Sequence, residues 1–343
     1  MIQLERHLLD ALDGSVEGLK HALQIAVRLE FSTIPPYLYA LYSIKPGRNR
    51  EIASLIKSVV VQEMLHMALD CNILTAICGS PAINHPKLVP KYPGRLPGSV
   101  EHGVVVRLAP FSKELLSEVF MPIEEPEMVL EYPFEASAFA SGKPHITIGE
   151  FYAKIKGQIR ELGDGIFLGE PARQLTTGFG ELRTRCIKDA EAAMDAIDLI
   201  VEQGEGTETS PLDPEAEPAH YYRFAEIYAG RKLVRNCDPD PEAPKFKFGG
   251  HAIEFDPDGV WPAIASPSRS SYNRFPKARD LNDAFNGTYT RLLDTLHLAF
   301  NGEPDRLALA LGFMESMKEQ AAVMIALETV PGRTAGPTFE YRP

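Results

Sequence analysis

Between Val16 and Ser43 the apolar residues fall at positions 19, 23, 26, 27, 34, 37, 38 and 41, the recurrence of one helical face. A first helix is expected there, stopped by Lys45-Pro46-Gly47. Pro35-Pro36 lies inside it and is expected to bend the helix or open a turn, because each proline lacks a donor and crowds the turn before it. A second stripe runs through Ile52, Leu55, Ile56, Val59, Val60, Met67, Ile73 and Leu74 and predicts a helix over residues 51–77, closed by Gly79 and Pro81. The short connection makes the two antiparallel.

Residues 81–146 change character. Pro81, Pro86, Pro90, Pro93 and Pro97 mark irregular chain, followed by a strand-like run at 103–108 and a short helix near 113–120, so this stretch reads as an insertion between helix pairs. A third helix is expected over about 147–162 and a fourth over about 182–203, stopped by Gly204 and Gly206. After a Pro/Glu-rich loop at 205–218 comes a helix at about 220–229. A loop or hairpin excursion over 236–280 follows, holding the sole tryptophan, Trp261. Helices at about 281–300 and 304–328 and a polar tail complete the chain. The pattern predicts an all-α protein. One domain over 1–343 would hold a four-helix bundle, the large α/β or irregular insertion and additional C-terminal helices.

Three polar residues interrupt the apolar stripes. Glu30 sits on the first stripe, where an ionised carboxylate costs several kcal/mol to bury unless it is paired or bound to a metal. Glu63 and His66 sit on the second, and a Glu-x-x-His step places both on one face of one turn. One Glu followed by Glu-x-x-His on the next helix is half of the donor set of dimetal helix bundles. Carboxylates bridge two cations and offset their charge, and a neutral imidazole adds a directional nitrogen. The bland alternatives are a salt bridge from Glu30 to Arg28 or another arginine, and a satisfied core histidine at His66; all three residues together favour a metal. For the second half no further Glu-x-x-His falls on the third or fourth helix. Glu150, Glu202 and Glu205 are the candidates at the expected meeting point of the third and fourth helices, with His220 able to fold back as the second imidazole. Helical phase speaks against Glu150 and Glu202, for which capping or a solvated face is the competing role.

The runs Leu29-Glu30-Phe31-Ser32-Thr33-Ile34-Pro35-Pro36-Tyr37-Leu38, Glu63-Met64-Leu65-His66-Met67, Ile148-Gly149-Glu150-Phe151-Tyr152, Gln203-Gly204-Glu205-Gly206, His220-Tyr221 and Gly336-Pro337-Thr338-Phe339-Glu340-Tyr341 occur in this order. Together they resemble the ferritin-like domain of the iminophenyl-pyruvate dimer synthase family, from about Ile25 to Tyr341. The resemblance implies a ferritin-like bundle and Glu30, Glu63, His66, Glu150, Glu202, Glu205 and His220 as metal-site residues. The violacein-pathway member of that family is a much longer chain, so the resemblance transmits fold and metal site better than substrate.

Composition narrows the function. With 44% hydrophobic and 24% charged residues the chain is of globular type. Its formal charge of 35 − 47 = −12, without any block of Lys/Arg, gives no footprint for nucleic acid or an anionic membrane. Four cysteines without a C-x-x-C pair read as thiols in a reducing compartment, with Cys71 and Cys78 as core residues of the second helix. The first thirty residues hold no secretory or membrane-spanning apolar run, so a cytoplasmic location is expected. The leading expectation is a non-haem, di-iron oxidoreductase using dioxygen on a small organic substrate of specialised metabolism; manganese or a mixed pair fits the same donors, and a homo-oligomer is compatible with it. The substrate pocket is expected from the insertion and the 236–280 excursion. The alternatives are a ferritin-like metal-binding or storage protein, for which half of this chain would be superfluous, and a non-catalytic scaffold whose acidic surface serves a partner protein.

Overall fold

The computed structural model describes residues 4–98, 103–126, 145–178, 183–207, 210–238, 240 and 243–343. A short strand β1 (Leu4–Glu5) precedes α1 (Val16–Ser43), which Ser15 caps by accepting from the Gly18 N–H. Residues 44–49 lead into α2 (Arg50–Ala76). α2 is long and apolar enough by composition to cross a membrane, but 67% of its most apolar stretch is buried within the fold. It is a core helix, and the polar residues on its stripe point inward.

The stretch at 81–146, of which residues 99–102 and 127–144 lie outside the described residues, contributes a small hairpin, β2 (Gly94–Arg95) with β3 (Val105–Val106). A composite helix follows: α3 (Lys113–Leu115), a π-helical turn Leu116–Phe120, and α4 (Met121–Glu124). β4 (His145–Ile146) returns to pair with β1. α5 (Ile148–Leu162) and α6 (Ala190–Glu205) complete the bundle. α7 (His220–Ala229) is followed by the hairpin β5 (Arg231–Arg235) and β6 (Phe246–Ala252). α8 (Pro276–Phe300) and α9 (Leu307–Ile325) pack together, and β7 (Glu328–Val330) with β8 (Arg333–Thr334) lead into the tail. One apolar core lies among α1, α2, α5 and α6; a second joins the other side of α1 and α2 to α8 and α9.

Four expectations are corrected. α1 runs unbroken through Pro35 and Pro36. Pro36 leaves the Ser32 carbonyl without its helical donor, and the Tyr92 hydroxyl, sixty residues away, donates to it at 2.7 Å. α6 starts at Ala190, where the Asp189 carboxylate accepts from the Ala192 N–H; Gly204 stays inside the helix and Gly206, at φ 84, ends it. Cys78 is exposed beyond the end of α2, whereas Cys71 is buried. The tail is buried over residues 334–339 rather than solvated. There the Thr338, Glu340 and Arg342 N–H groups donate to the side chains of Asn282, Asn286 and Thr290 on α8. Alternate tail amides thus meet every fourth side chain of α8, with Phe339 in a left-handed conformation, φ 51, between the first two. Gly336 allows the close approach this needs: a Cβ there would lie 1.9 Å from the Tyr39 hydroxyl.

Candidate metal centre

Helical phase aims Glu30 and Thr33 of α1 and Glu63 and His66 of α2 into one buried chamber of about 50 Å³. Tyr152 of α5, Glu124 of α4 and Glu205 of α6 also line it. His220, at the first position of α7 and fully buried, closes it from behind. Its Nδ1 is 2.9 Å from Glu63 Oε1 and 3.5 Å from Glu124 Oε2, and His66 Nδ1 is 3.5 Å from Glu30 Oε2. The two imidazoles stack with centroids 5.3 Å apart. Donor atoms of Glu63, His66 and His220 all fall within 4.8 Å of one another.

The outer ring nitrogens fix the tautomers. His66 Nε2 is 2.9 Å from Gln203 Oε1, and His220 Nε2 is 3.0 Å from Gln62 Oε1. An amide oxygen only accepts, so both Nε2 atoms carry the proton and donate. The other ring nitrogens, Nδ1, face the carboxylates. His220 Nδ1 is without a hydrogen-bond partner although Glu63 Oε1 lies 2.9 Å away. A buried ring nitrogen without a hydrogen bond beside a carboxyl oxygen is an arrangement a cation between them would satisfy, and carboxylates with imidazoles are a fitting donor set for iron or manganese. The residues present fit a bound metal.

Surrounding groups hold the carboxylates in place. Thr33 Oγ1 donates to Glu63 Oε2 at 2.6 Å, and the Tyr37 hydroxyl, wedged between Phe120 and Phe224, donates to Glu124. Burial, and then the Glu124 and Glu30 charges, push the Glu63 carboxyl well above the usual range. At Glu30 burial acts upward, but the bonds from His66 and Tyr152 outweigh it and the carboxyl is lowered. The Tyr152 hydroxyl lies 2.6 Å from Glu30 Oε1 and 2.8 Å from Asp70 Oδ2. One hydroxyl proton cannot serve both, so the second belongs to Asp70, which burial and then the Glu30 charge push well up.

Of the residues expected from sequence, Glu30, Glu63, His66, Glu205 and His220 come together. Two do not. Glu150 is exposed, and its carboxylate accepts from the Thr147 N–H while Thr147 Oγ1 accepts from the Glu150 N–H, a reciprocal helix cap that holds it at the end of α5. Glu202 is half-exposed, outside the chamber; slight burial and then Asp198 and Glu215 raise its carboxyl. Glu30 is joined to Tyr152 and His66 and not to Arg28. Glu124 was missed, because it ends a short helix with no periodic stripe; Asp70, already on the α2 stripe, and Gln62, one residue before Glu63, were legible there but not read as part of the site.

A helix bundle enclosing paired glutamates and histidines is the architecture of a ferritin-like protein. The chain belongs to the ferritin-like family, whose sequence model matches residues 23–229. It is 25% identical to the dichlorochromopyrrolate synthase of Lentzea aerocolonigenes over an alignment covering 94% of this chain and 36% of that protein, and so spans about a third of that relative's length. The crystal structure of a ferritin-like protein from Caulobacter vibrioides superposes with a TM-score of 0.56 at 24% identity, covering 90% of this chain and 97% of that one, a likeness of fold.

Proposed function

We propose that this chain is a metal-dependent oxidoreductase that holds two cations, iron foremost, and acts with dioxygen on a small organic molecule of specialised metabolism in the cytoplasm. Glu30, Glu63, Glu124, Glu205, His66 and His220 would hold the metal. The observation that carries the reading is the unpartnered His220 Nδ1 facing Glu63 Oε1 in a fully buried cluster. Iron bound there would supply Lewis acidity and electrons for dioxygen reduction. The chain's own residues would do the rest. Tyr152 holds a proton between Asp70 Oδ2 and Glu30 Oε1, ready to pass inward, and Tyr37 holds one on Glu124. Leu29, Ile123 and Ile200 line the chamber and restrict water. The synthase named among the relatives favours an enzyme over a storage protein. Iron analysis of the purified protein and dioxygen uptake by the ferrous-loaded protein test the reading. About two irons per chain and rapid uptake are expected; uptake of many irons per chain would indicate storage, and a metal-free protein from iron-replete cells would overturn the proposal.

A further inference from the structure

The chamber of about 50 Å³ has room for a few water-sized bodies, since one water needs roughly 10–15 Å³ of such space. Among the described residues, this chamber does not enclose an organic molecule. On the opposite side of the α1–α2 pair, α8 and α9 stand off and leave a cleft of about 1360 Å³, larger than ordinary small-molecule pockets of roughly 300–1000 Å³. No described residue of the insertion or of the 236–280 excursion lines it. Its walls are mostly apolar and rich in thioethers, with Leu38, Met64, Met67 and Met314 among them, side chains that adapt to varied flat or branched surfaces, while charged residues such as Arg50 and Lys318 also border it.

The floor of this cleft includes Gln62 and Gln203. These are the two residues whose Oε1 atoms hold the outer N–H groups of His220 and His66. They are 7% and 2% exposed, and among the described residues neither Nε2 amide has a protein acceptor. Two amides that give their oxygens to the histidines and have no protein acceptor for their N–H groups line this cleft, and they offer donors to a ligand that accepts a hydrogen bond. We infer that this cleft is the organic-ligand site, taking a largely apolar molecule with a carbonyl-type acceptor that meets the amides of Gln62 and Gln203. Both glutamines then act as positioning residues: one end orients a histidine and the other reads the ligand. The coupling to chemistry rests on the metal-centre reading above; occupation of the cleft does not.

The test uses two ligands of one shape, 2-acetylnaphthalene with an acceptor and 2-ethylnaphthalene without, titrated by ligand-observed NMR into the full chain. Wild type should bind both. Met314→Trp fills the cleft from half-exposed α9 and should weaken both at least about tenfold. Gln62→Glu and Gln203→Glu keep an oxygen for the imidazole N–H while removing the amide donor. Each should weaken the acetyl ligand about three- to tenfold and leave the ethyl ligand nearly unchanged. No binding by wild type, equal binding by wild type and Met314→Trp, or equal losses for both ligands in the glutamine variants would overturn the inference. Iron content measured on the same samples keeps the two ideas apart. Binding that follows this pattern in a chain without iron leaves the cleft standing and fells the metal centre, and retained iron without binding does the reverse.

Discussion

Glu63→Gln separates the cost of assembling the cluster from its proposed purpose. Glu63 is 3% exposed, with the Glu30 and Glu124 charges beside it, so in the metal-free chain it is a destabilising group held by its surroundings. The amide has the same shape. Its oxygen keeps the Thr33 hydroxyl as donor, and its NH2 falls where Oε1 now sits, 2.9 Å from the unpartnered His220 Nδ1. The substitution replaces a buried acid whose ionised form its surroundings disfavour and gives His220 Nδ1 a donor in one step. Relieving a buried ionic cluster without stranding a partner gains about 1–4 kcal/mol. At ~2 °C per kcal/mol for a large domain, Tm of the chelator-treated protein should rise by roughly 2–8 °C in differential scanning calorimetry. The iron-loaded proteins should show the opposite order, because the variant loses an anionic ligand and with it the stabilisation that binding confers. Iron per chain should fall from about two to about one or less. A lower Tm for the metal-free variant, or full iron retention, would refute this account of the cluster.

His220→Ala should lower iron by about one equivalent with helical circular dichroism nearly unchanged, whereas Glu150→Ala, which removes only a helix cap, should cost about 0.5–1 kcal/mol in urea and leave iron unchanged; full iron in His220→Ala alongside loss in His66→Ala would mean a single-metal site on α1 and α2. Tyr92→Phe strands the Ser32 carbonyl freed by Pro36 and should cost about 1–3 kcal/mol in urea denaturation, and a neutral result would show that another donor reaches it. The Asp283 carboxyl is held at about 2, first by its bond from Arg269 and also by Arg342. Its folded-state value lies below the unfolded one, so its stabilisation is complete above about pH 4 and is lost as pH falls through about 2. Urea midpoints of wild type and Asp283→Asn should converge over that window, and a constant gap would exclude the carboxylate as the source.

Half of the candidate site was legible because it obeys helical periodicity. Glu30, Glu63 and His66 are polar residues on apolar stripes, and a stripe on a long helix fixes which way a side chain points. Glu124 has no such frame: its helix has four residues, follows a π-helical turn and lies in a proline-rich insertion, so its direction depends on the packing of Phe120 and Tyr37. Glu150 shows a signal weighed wrongly. Thr147-x-x-Glu150 has the spacing of a reciprocal cap, and that local competitor, already favoured by phase, prevails over the resemblance. Glu205 and His220 flank the turn and loop after α6, where phase is lost and the long-range fold alone decides.

The remaining differences arise where a backbone group is satisfied by a residue distant in sequence. Proline rules predict a broken helix at Pro35-Pro36 because they count local donors, and they cannot anticipate that Tyr92 will supply one to Ser32. The tail was misread for the complementary reason. Its polar residues suggested solvent, but Asn282, Asn286 and Thr290 recur every fourth residue on a buried face of α8, a spacing with no purpose inside the helix itself. Buried amide and hydroxyl groups at that interval require partners at an interval of about 6 Å, and the alternate amides of Thr338, Glu340 and Arg342 supply them. A polar stripe on a buried helix face thus points to irregular backbone as its partner, just as the polar breaks in the α1 and α2 stripes point to a cluster of titratable groups. The difference between the two cases lies in residue type: amides and hydroxyls pair with backbone, whereas clustered carboxyls and imidazoles leave a buried ring nitrogen, His220 Nδ1, without a hydrogen bond, which the proposed cation would satisfy.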